Sequence, residues 1–387
     1  MFKFKIPASL EAIAILIGTI IGSGIFLLPF AAISSGLLVS NIWMVLLTIL
    51  LIIMHLVFGE VVLRTRHTHS FAGYAGKYLS KSAEKFIFVS SLITLSFSSM
   101  IYLLLASKFL GSLLPVNFLS FNVLFGICWV LFNICSCVDL SRASKFNLLL
   151  TIGEVGMTCA IAFYIFPHIK MVNFQSFNIT HNWLMSYGVI FYALNGIAAI
   201  PLVFHLLRER KAKPVDFRKT IIIGSIIVTV CYLLFMNCIA LVSGGKTTQD
   251  AISGLLEFVG GPIIALGALA GILIVWTSYI SFSQYLKTLL HNDFKWSHFW
   301  STMTVVFLPL AFFFIGIDNI GDLISLMGGV LGGLDGLIIF FVYFASQKKS
   351  EIEPEYKLNL KPIVAWVIGG FFFASSLMQI VLQAMKK

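Results

Sequence analysis

Runs of about 18 or more largely apolar residues recur along this 387-residue chain, and each is long enough to cross roughly 30 Å of hydrocarbon at 1.5 Å per residue. A chain built this way has few choices. In hydrocarbon every backbone N–H and C=O must find a partner within the protein, which leaves helices or closed barrels, and runs of this length select helices. Eleven spans are read, at 8–35, 40–63, 86–111, 119–138, 144–166, 183–206, 220–243, 261–288, 299–316, 320–345 and 362–384. The composition agrees: 59% of residues are hydrophobic and 11% charged, with a mean hydropathy of +0.99. The expected fold class is therefore an all-α polytopic membrane protein, in which the first span is too long to be a cleaved leader.

Lys and Arg placement sets the expected orientation. With the N-terminus cytoplasmic, most of the 26 basic residues fall in inner loops, and only Lys108, Lys170, Lys246, Lys386 and Lys387 lie outside, as does the C-terminus. The net charge of +10 is thus dispersed over loops and forms no single basic face, which argues against a nucleic-acid partner. The six cysteines lie within spans, form no CxxC pair, and read as small packing residues.

Within the first span, Gly18-Thr19-Ile20-Ile21-Gly22-Ser23-Gly24-Ile25-Phe26-Leu27-Leu28-Pro29 is poor material for an unbroken helix. Gly costs about 1 kcal/mol and Pro about 3 kcal/mol relative to Ala in a helix interior. A break in mid-membrane is tolerated where the freed backbone lines a cavity or meets a ligand. The half-helix after the break aims free amides and its positive dipole end at the gap, and the half before it offers carbonyls. An anion on one side and a cation on the other describe a zwitterion such as an amino acid. The bland alternative is a close-packed Gly18/Gly22 face with no ligand. If a carboxylate rests on this backbone, a branched side chain at Gly24 fills its space and abolishes binding.

The sixth span repeats the pattern. Gly196-Ile197 followed by Pro201, in Leu194-Asn195-Gly196-Ile197-Ala198-Ala199-Ile200-Pro201, matches the spacing of Gly24-Ile25 followed by Pro29. Interrupted first and sixth helices point to an inverted-repeat transporter with its site at the repeat interface. The repeats would cover about 8–166 and 183–345 of one transporter domain, leaving a peripheral helix at about 362–384. Ser98 and Tyr102, four apart in the third span, are pocket candidates, and Asn195 brings a donor and an acceptor to the second break. Glu154, a carboxylate in mid-span, is a candidate proton or cation site, set against a neutral acid bonded to a neighbouring helix. Thr277 and Ser278 in the eighth span could complete an oxygen cage for a hard cation, or merely bond back to their own helix.

Other features have quieter readings. Glu60 and Arg64 can pair as an interfacial tie, and Gly244 to Gly261 could form a short gate-like helix. The glycines at 328, 329, 332, 333 and 336 suit close helix packing, with Asp335 a second buried acid among them. His67 and His69 have no third ligand at metal spacing, and no nucleophile and base are recognisable for an enzyme. No cofactor is expected beyond a coupling ion, H+ or Na+.

The glycine string resembles the first-helix signature of the amino acid/polyamine/organocation superfamily. Val138-Asp139-Leu140, Pro167-His168-Ile169 and Ile200-Pro201, with the eleven-span length, resemble the bacterial aromatic and hydroxy amino acid permeases. The resemblance implies a leucine-transporter-like fold of five plus five helices, alternating access, and ion-coupled import of a neutral or aromatic amino acid across the cytoplasmic (inner) membrane. It implies that Gly22, Ser23 and Gly24 hold the substrate carboxylate, and that Thr19, Ile20, Leu194, Asn195 and Gly196 meet its ammonium and side chain. Gly18, Ile21, Thr277 and Ser278 match the sodium site of sodium-coupled relatives. Glu154 departs from the pattern, for proton-coupled relatives commonly place a lysine in that helix. Two alternatives remain open at this point, an amino acid or polyamine exchanger and a non-transporting sensor.

Overall fold

The computed structural model describes residues 7–115, 118–137, 144–174, 183–316 and 320–385. Val138-Asp139-Leu140, Lys386 and Lys387, used above for resemblance and orientation, lie outside them. The described elements are helical throughout. They are α1 (Ala8–Ile20), α2 (Gly24–Ser35), α3 (Leu37–Leu63), α4 (Phe71–Tyr78), α5 (Lys81–Leu113), α6 (Phe121–Cys137), α7 (Ser144–Ile165), α8 (Trp183–Leu194), α9 (Ala199–Glu209), α10 (Pro214–Ser243), α11 (Leu256–Val259), α12 (Gly261–Thr288), α13 (His298–Phe314), α14 (Ile320–Leu326), α15 (Gly333–Lys348) and α16 (Pro362–Met385). Eight helices, with α8 and α9 counted as one, are long and apolar enough to span a membrane, and the bent pair α1 and α2 makes a ninth. Two shorter apolar helices, α6 and α13, occupy the expected fourth and ninth positions. Large apolar side chains such as Ile42, Val45 and Ile49 on α3 face outward, as a lipid-facing surface requires.

Both expected breaks are present, in different registers. The first falls at Ile21–Ser23 with a 54° bend, so that Gly24 and Ile25 begin α2 and Pro29 lies inside it. The second falls at residues 195–198, so that Gly196 and Ile197 lie within the gap and Pro201 in the first turn of α9. Pro is tolerated in a first turn because the N–H it lacks has no intrahelical partner there, so the second helix unwinds closer to its proline.

The half-helices α2 and α8 run antiparallel in close contact. A Cβ on Gly24 would fall 2.7 Å from Ala193, and at the far end Ser186 Oγ donates to the carbonyl of Ala31 (3.0 Å). α14 and α15 are joined by a π-helical turn, Met327–Gly332, pressed against α8, where a Cβ on Gly328 would lie 1.9 Å from the Gly188 carbonyl oxygen. The glycines there allow backbone to touch backbone, as their spacing suggests. α16 is more than an outlying support: Ser376 Oγ lies 2.9 Å from the Gly329 carbonyl oxygen, and Gln379 donates to Ser325 Oγ (2.7 Å).

One end of the molecule gathers the start of α1, the end of α3, α4, the end of α9 and the segment after α15. Arg210 pairs with Glu11 (3.0 Å), and Glu60, fully buried, holds Arg64 (2.6 Å) as the interfacial tie expected. The segment after α15 straps this end together. Leu358 N–H donates to Glu60 Oε2 (2.7 Å), Tyr356 Oη to the Leu56 carbonyl (2.8 Å), and Glu351 N–H to the Arg64 carbonyl (3.0 Å). Glu351 also accepts from Arg66 N–H (2.9 Å) and pairs with Lys77 of α4 (2.8 Å). At the opposite end, the stretch expected as a gate-like helix is two 3-10 turns and the four-residue α11, closed by a Lys246–Glu257 ion pair. Asp250 accepts from Thr248 and Ser253 there, and these turn-forming bonds keep the stretch from becoming one helix.

Candidate functional site

The two breaks meet across one cavity. It is lined by Thr19, Ile20, Gly22, Ser23 and Gly24 from the first break, Ser98 and Tyr102 from α5, and Asn195 near the second break. Of the residues expected around a substrate, Leu194 and Gly196 are buried beside the cavity and do not line it. The backbone at the gap is only partly satisfied from within. Ile21 N–H still bonds to Ile17 O (2.8 Å), and α2 opens with weak 3-10 bonds from Ile25 and Phe26 to Gly22 and Ser23 (3.4 and 3.2 Å).

Neighbouring side chains take up the freed groups. Tyr232 of α10 directs its hydroxyl at the Ile20 carbonyl (2.9 Å) and the Ala193 carbonyl (3.1 Å), so a single hydrogen serves the last turns of both α1 and α8. His55 of α3 accepts from Gly196 N–H through Nε2 (3.1 Å), which makes it a neutral ring with its proton on Nδ1. Asn195 Oδ1 accepts from Ile197 N–H within the gap (3.2 Å). A third group faces the cavity: Tyr192 donates to Ser98 Oγ (2.7 Å) and lies 3.3 Å from Ser23 Oγ. Sequence reasoning missed Tyr192, Tyr232 and His55 as site residues. The one available signal is that a buried Tyr or His in an apolar span still needs a polar partner.

The ion-site candidates make contacts of their own. Ser278 Oγ donates to the Ile21 carbonyl (3.0 Å), and Thr277 Oγ1 lies 2.5 Å from Glu154 Oε1 and 2.9 Å from its own helix's Ile274 carbonyl. Glu154 is buried, and its Oε2 lacks a hydrogen-bond partner and lies 3.8 Å from where a Gly18 Cβ would stand. Thr151 Oγ1 donates to the Ala14 carbonyl (3.1 Å) and holds α7 against α1 here. α12 thus brings one hydroxyl to the Glu154 carboxyl of α7 and the next to the Ile21 carbonyl at the first break, oxygen groups of the kind that bind a proton or a hard cation.

The cavity is lopsided. On the α2 side Phe26, Phe109 and Phe235 are buried against one another, with ring centroids 5.0 and 6.1 Å apart. On the other side the lining descends past Leu95, Thr94 and Ser91 to Phe71 of α4, Tyr285 and Asp335. Asp335, expected as a buried acid, is half-buried and faces this cavity. The remaining polar candidates are away from the site: His69 packs edge-on to Tyr74, and no group of three metal-ligating residues occurs among the described residues. Of the cysteines, Cys128, Cys231 and Cys238 are buried as packing residues, whereas Cys159 is exposed on the face of α7, contrary to its reading as core packing.

Comparisons with known proteins bear on this architecture. The structure of MHP1, a nucleobase-cation-symport-1 family transporter, in a closed conformation with bromovinylhydantoin bound, superimposes with a TM-score of 0.67 at 11% identity. The match covers 97% of this chain and 92% of that one, so the two share the leucine-transporter-like fold. No curated protein matches the chain. The tryptophan/tyrosine permease family model matches residues 5–316, which include both breaks and every candidate substrate and ion residue. The multi-pass helical chain belongs to the tryptophan/tyrosine permease family.

Proposed function

We propose that the protein imports a neutral aromatic amino acid by alternating access, driven by an ion gradient, with substrate bound where the two helices are broken. The observation that carries this reading is the shared cavity flanked by the start of α2 and the end of α1. The amides around Ser23 and Gly24 receive the carboxylate at the positive end of α2. The carbonyl end at Thr19 and Ile20, with Asn195, receives the ammonium, and the hydroxyls of Ser23, Tyr192 and Ser98 flank the zwitterion. No covalent chemistry is involved. The basic end that carries Arg64, Arg208, Arg210 and the strap faces the cytoplasm, in keeping with the positive-inside rule. The cavity then descends toward the cytoplasm and is sealed outward by the Phe26, Phe109 and Phe235 cluster.

Glu154 is the coupling group, and the proton is the favoured ion. Thr277 has one hydroxyl hydrogen and two close acceptors, the Glu154 carboxyl and the Ile274 carbonyl. A proton on Glu154 lets both bonds form at once, for Glu154 then donates to Thr277 while Thr277 donates to Ile274. Uptake of labelled tyrosine and tryptophan into proteoliposomes, under an imposed proton gradient or sodium gradient in turn, tests the reading. Accumulation driven by the proton gradient, lost in Glu154→Gln while counterflow exchange persists, is the expected result. Accumulation that follows sodium alone overturns the proton assignment, and absence of both uptake and exchange overturns the transport reading.

A further inference from the structure

The lower half of the cavity holds an acid that the transport scheme above does not use. Asp335 lies on α15, three residues beyond the π-helical turn, and its Oδ1 takes a bond from Ser90 Oγ of α5 at 3.3 Å. Among the described residues no Lys or Arg pairs with it. Around it the cavity wall offers Ser91 and Thr94, whose Oγ1 is buried and has no hydrogen-bond partner, and the rings of Phe71 and Tyr285. An anion with a free oxygen, flanked by an unsatisfied hydroxyl and two rings in one cavity, is a receptor for a cation with an apolar body.

Distance separates this place from the helix breaks. Ser98, at the level of Ser23 and Tyr192, and Ser90, at the level of Asp335, are eight residues apart on α5, about 12 Å along the helix axis. The ammonium and carboxylate of an amino acid share one α-carbon, so an amino acid whose carboxylate rests on the Ser23 and Gly24 amides cannot present its ammonium to Asp335 at the same time.

We propose that Asp335, with Ser90, Ser91 and Thr94, forms a second ligand position that binds the ammonium of an amino acid leaving the helix breaks, or of a primary arylalkylamine. The proposal deepens the permease reading and rests on it for the direction of travel. The ammonium is released from the carbonyl end of α1 and captured by Asp335 on the way to the cytoplasm, which makes the exit path selective for cationic head groups.

Phenethylamine separates the two positions, because it has the ammonium and ring but no carboxylate for the α2 amides. Binding to the purified full-length protein is measured for labelled phenethylamine and labelled tyrosine, each alone and with the other saturating. The expected result is amine binding that persists at saturating tyrosine and falls about tenfold or more in Asp335→Asn, while tyrosine affinity moves less than about threefold. Asp335→Glu retains amine binding. Ser90→Ala, which keeps the charge and removes only the hydroxyl on Oδ1, weakens amine binding about threefold and decides the matter if Asp335→Asn does not elute as a monodisperse protein. Absence of amine binding in the wild type, amine binding unchanged in Asp335→Asn, or equal loss of tyrosine and amine in a monodisperse variant overturns the proposal. If the wild type binds no aromatic amino acid while amine binding still depends on Asp335, the permease reading fails and the cation position stands.

Discussion

At the scale of single residues, the site depends on a few hydroxyls that satisfy backbone freed by the breaks. Tyr232→Phe removes the hydrogen shared by the Ile20 and Ala193 carbonyls and leaves two buried acceptors unpaired. A cost of about 1–3 kcal/mol is expected, read as a lowered apparent melting temperature together with weaker substrate binding. Gly24→Val acts differently from the steric block the sequence suggests. Its Cβ meets Ala193 at 2.7 Å and not the cavity, so the variant pries α2 from α8 and lowers both thermal stability and binding. At Gly22 a Cβ would lie 3.0 Å from Tyr102 Oη and 3.1 Å from Ser278 Oγ, both side-chain ends that can give way. Gly22→Ala is therefore expected to weaken binding with a smaller loss of melting temperature. Of the ten residues expected around a substrate eight line the cavity, and none of the five expected at the ion site does, because a glycine string marks where a helix opens and a lone acid does not say which cavity it faces. Tyr192, Tyr232 and His55 were not legible: an aromatic ring in an apolar run looks the same in sequence whether its polar atom is idle or caps a backbone in another helix.

At the scale of elements, the span boundaries follow from local hydropathy, which is why the expected and observed helices agree closely. Register at the breaks does not, because it depends on which neighbour supplies the missing hydrogen bonds. Pro29 and Pro201 share a sequence spacing from their Gly-Ile pairs, yet one lies inside its helix and the other in the first turn. The π-helical turn before α15 is another feature without a local signature, since it is held open by Ser376 and by contact with α8. That contact leaves no room for a side chain. Gly328→Ala is expected to give no monodisperse protein on size exclusion after extraction, whereas Gly370→Ala, with no atom within 4 Å of its Cβ position, is expected to behave as wild type.

At the scale of the whole molecule, the strap after α15 joins the end of α3 to α4, whose Phe71 lines the lower cavity. Its charged link is Glu351, whose carboxyl the Lys77 ammonium and the Arg66 N–H hold below the usual carboxylate range. A depressed folded value means the link contributes above the ordinary carboxylate pKa of about 4.5 and is lost as pH falls through the lower value of the folded state. A pair of spin labels placed across the strap and α4 is therefore expected to report one separation from neutral pH to about 5 and to move apart only in stronger acid, a profile that Glu351→Gln flattens. Nothing in the sequence marks this link, because Glu351 and Lys77 are far apart in the chain and both belong to ordinary charged loops.

The same strap also makes the molecule's state readable by cleavage. Glu355 projects outward between two anchors, Glu351 on one side and Tyr356 with Leu358 on the other. A glutamate-specific protease cutting there leaves each anchor attached to its own helix but severs the covalent thread between them. Whatever part of the transport cycle requires α15 and α16 to report on one another through that thread then runs without it, and the fragments remain associated through the helix packing.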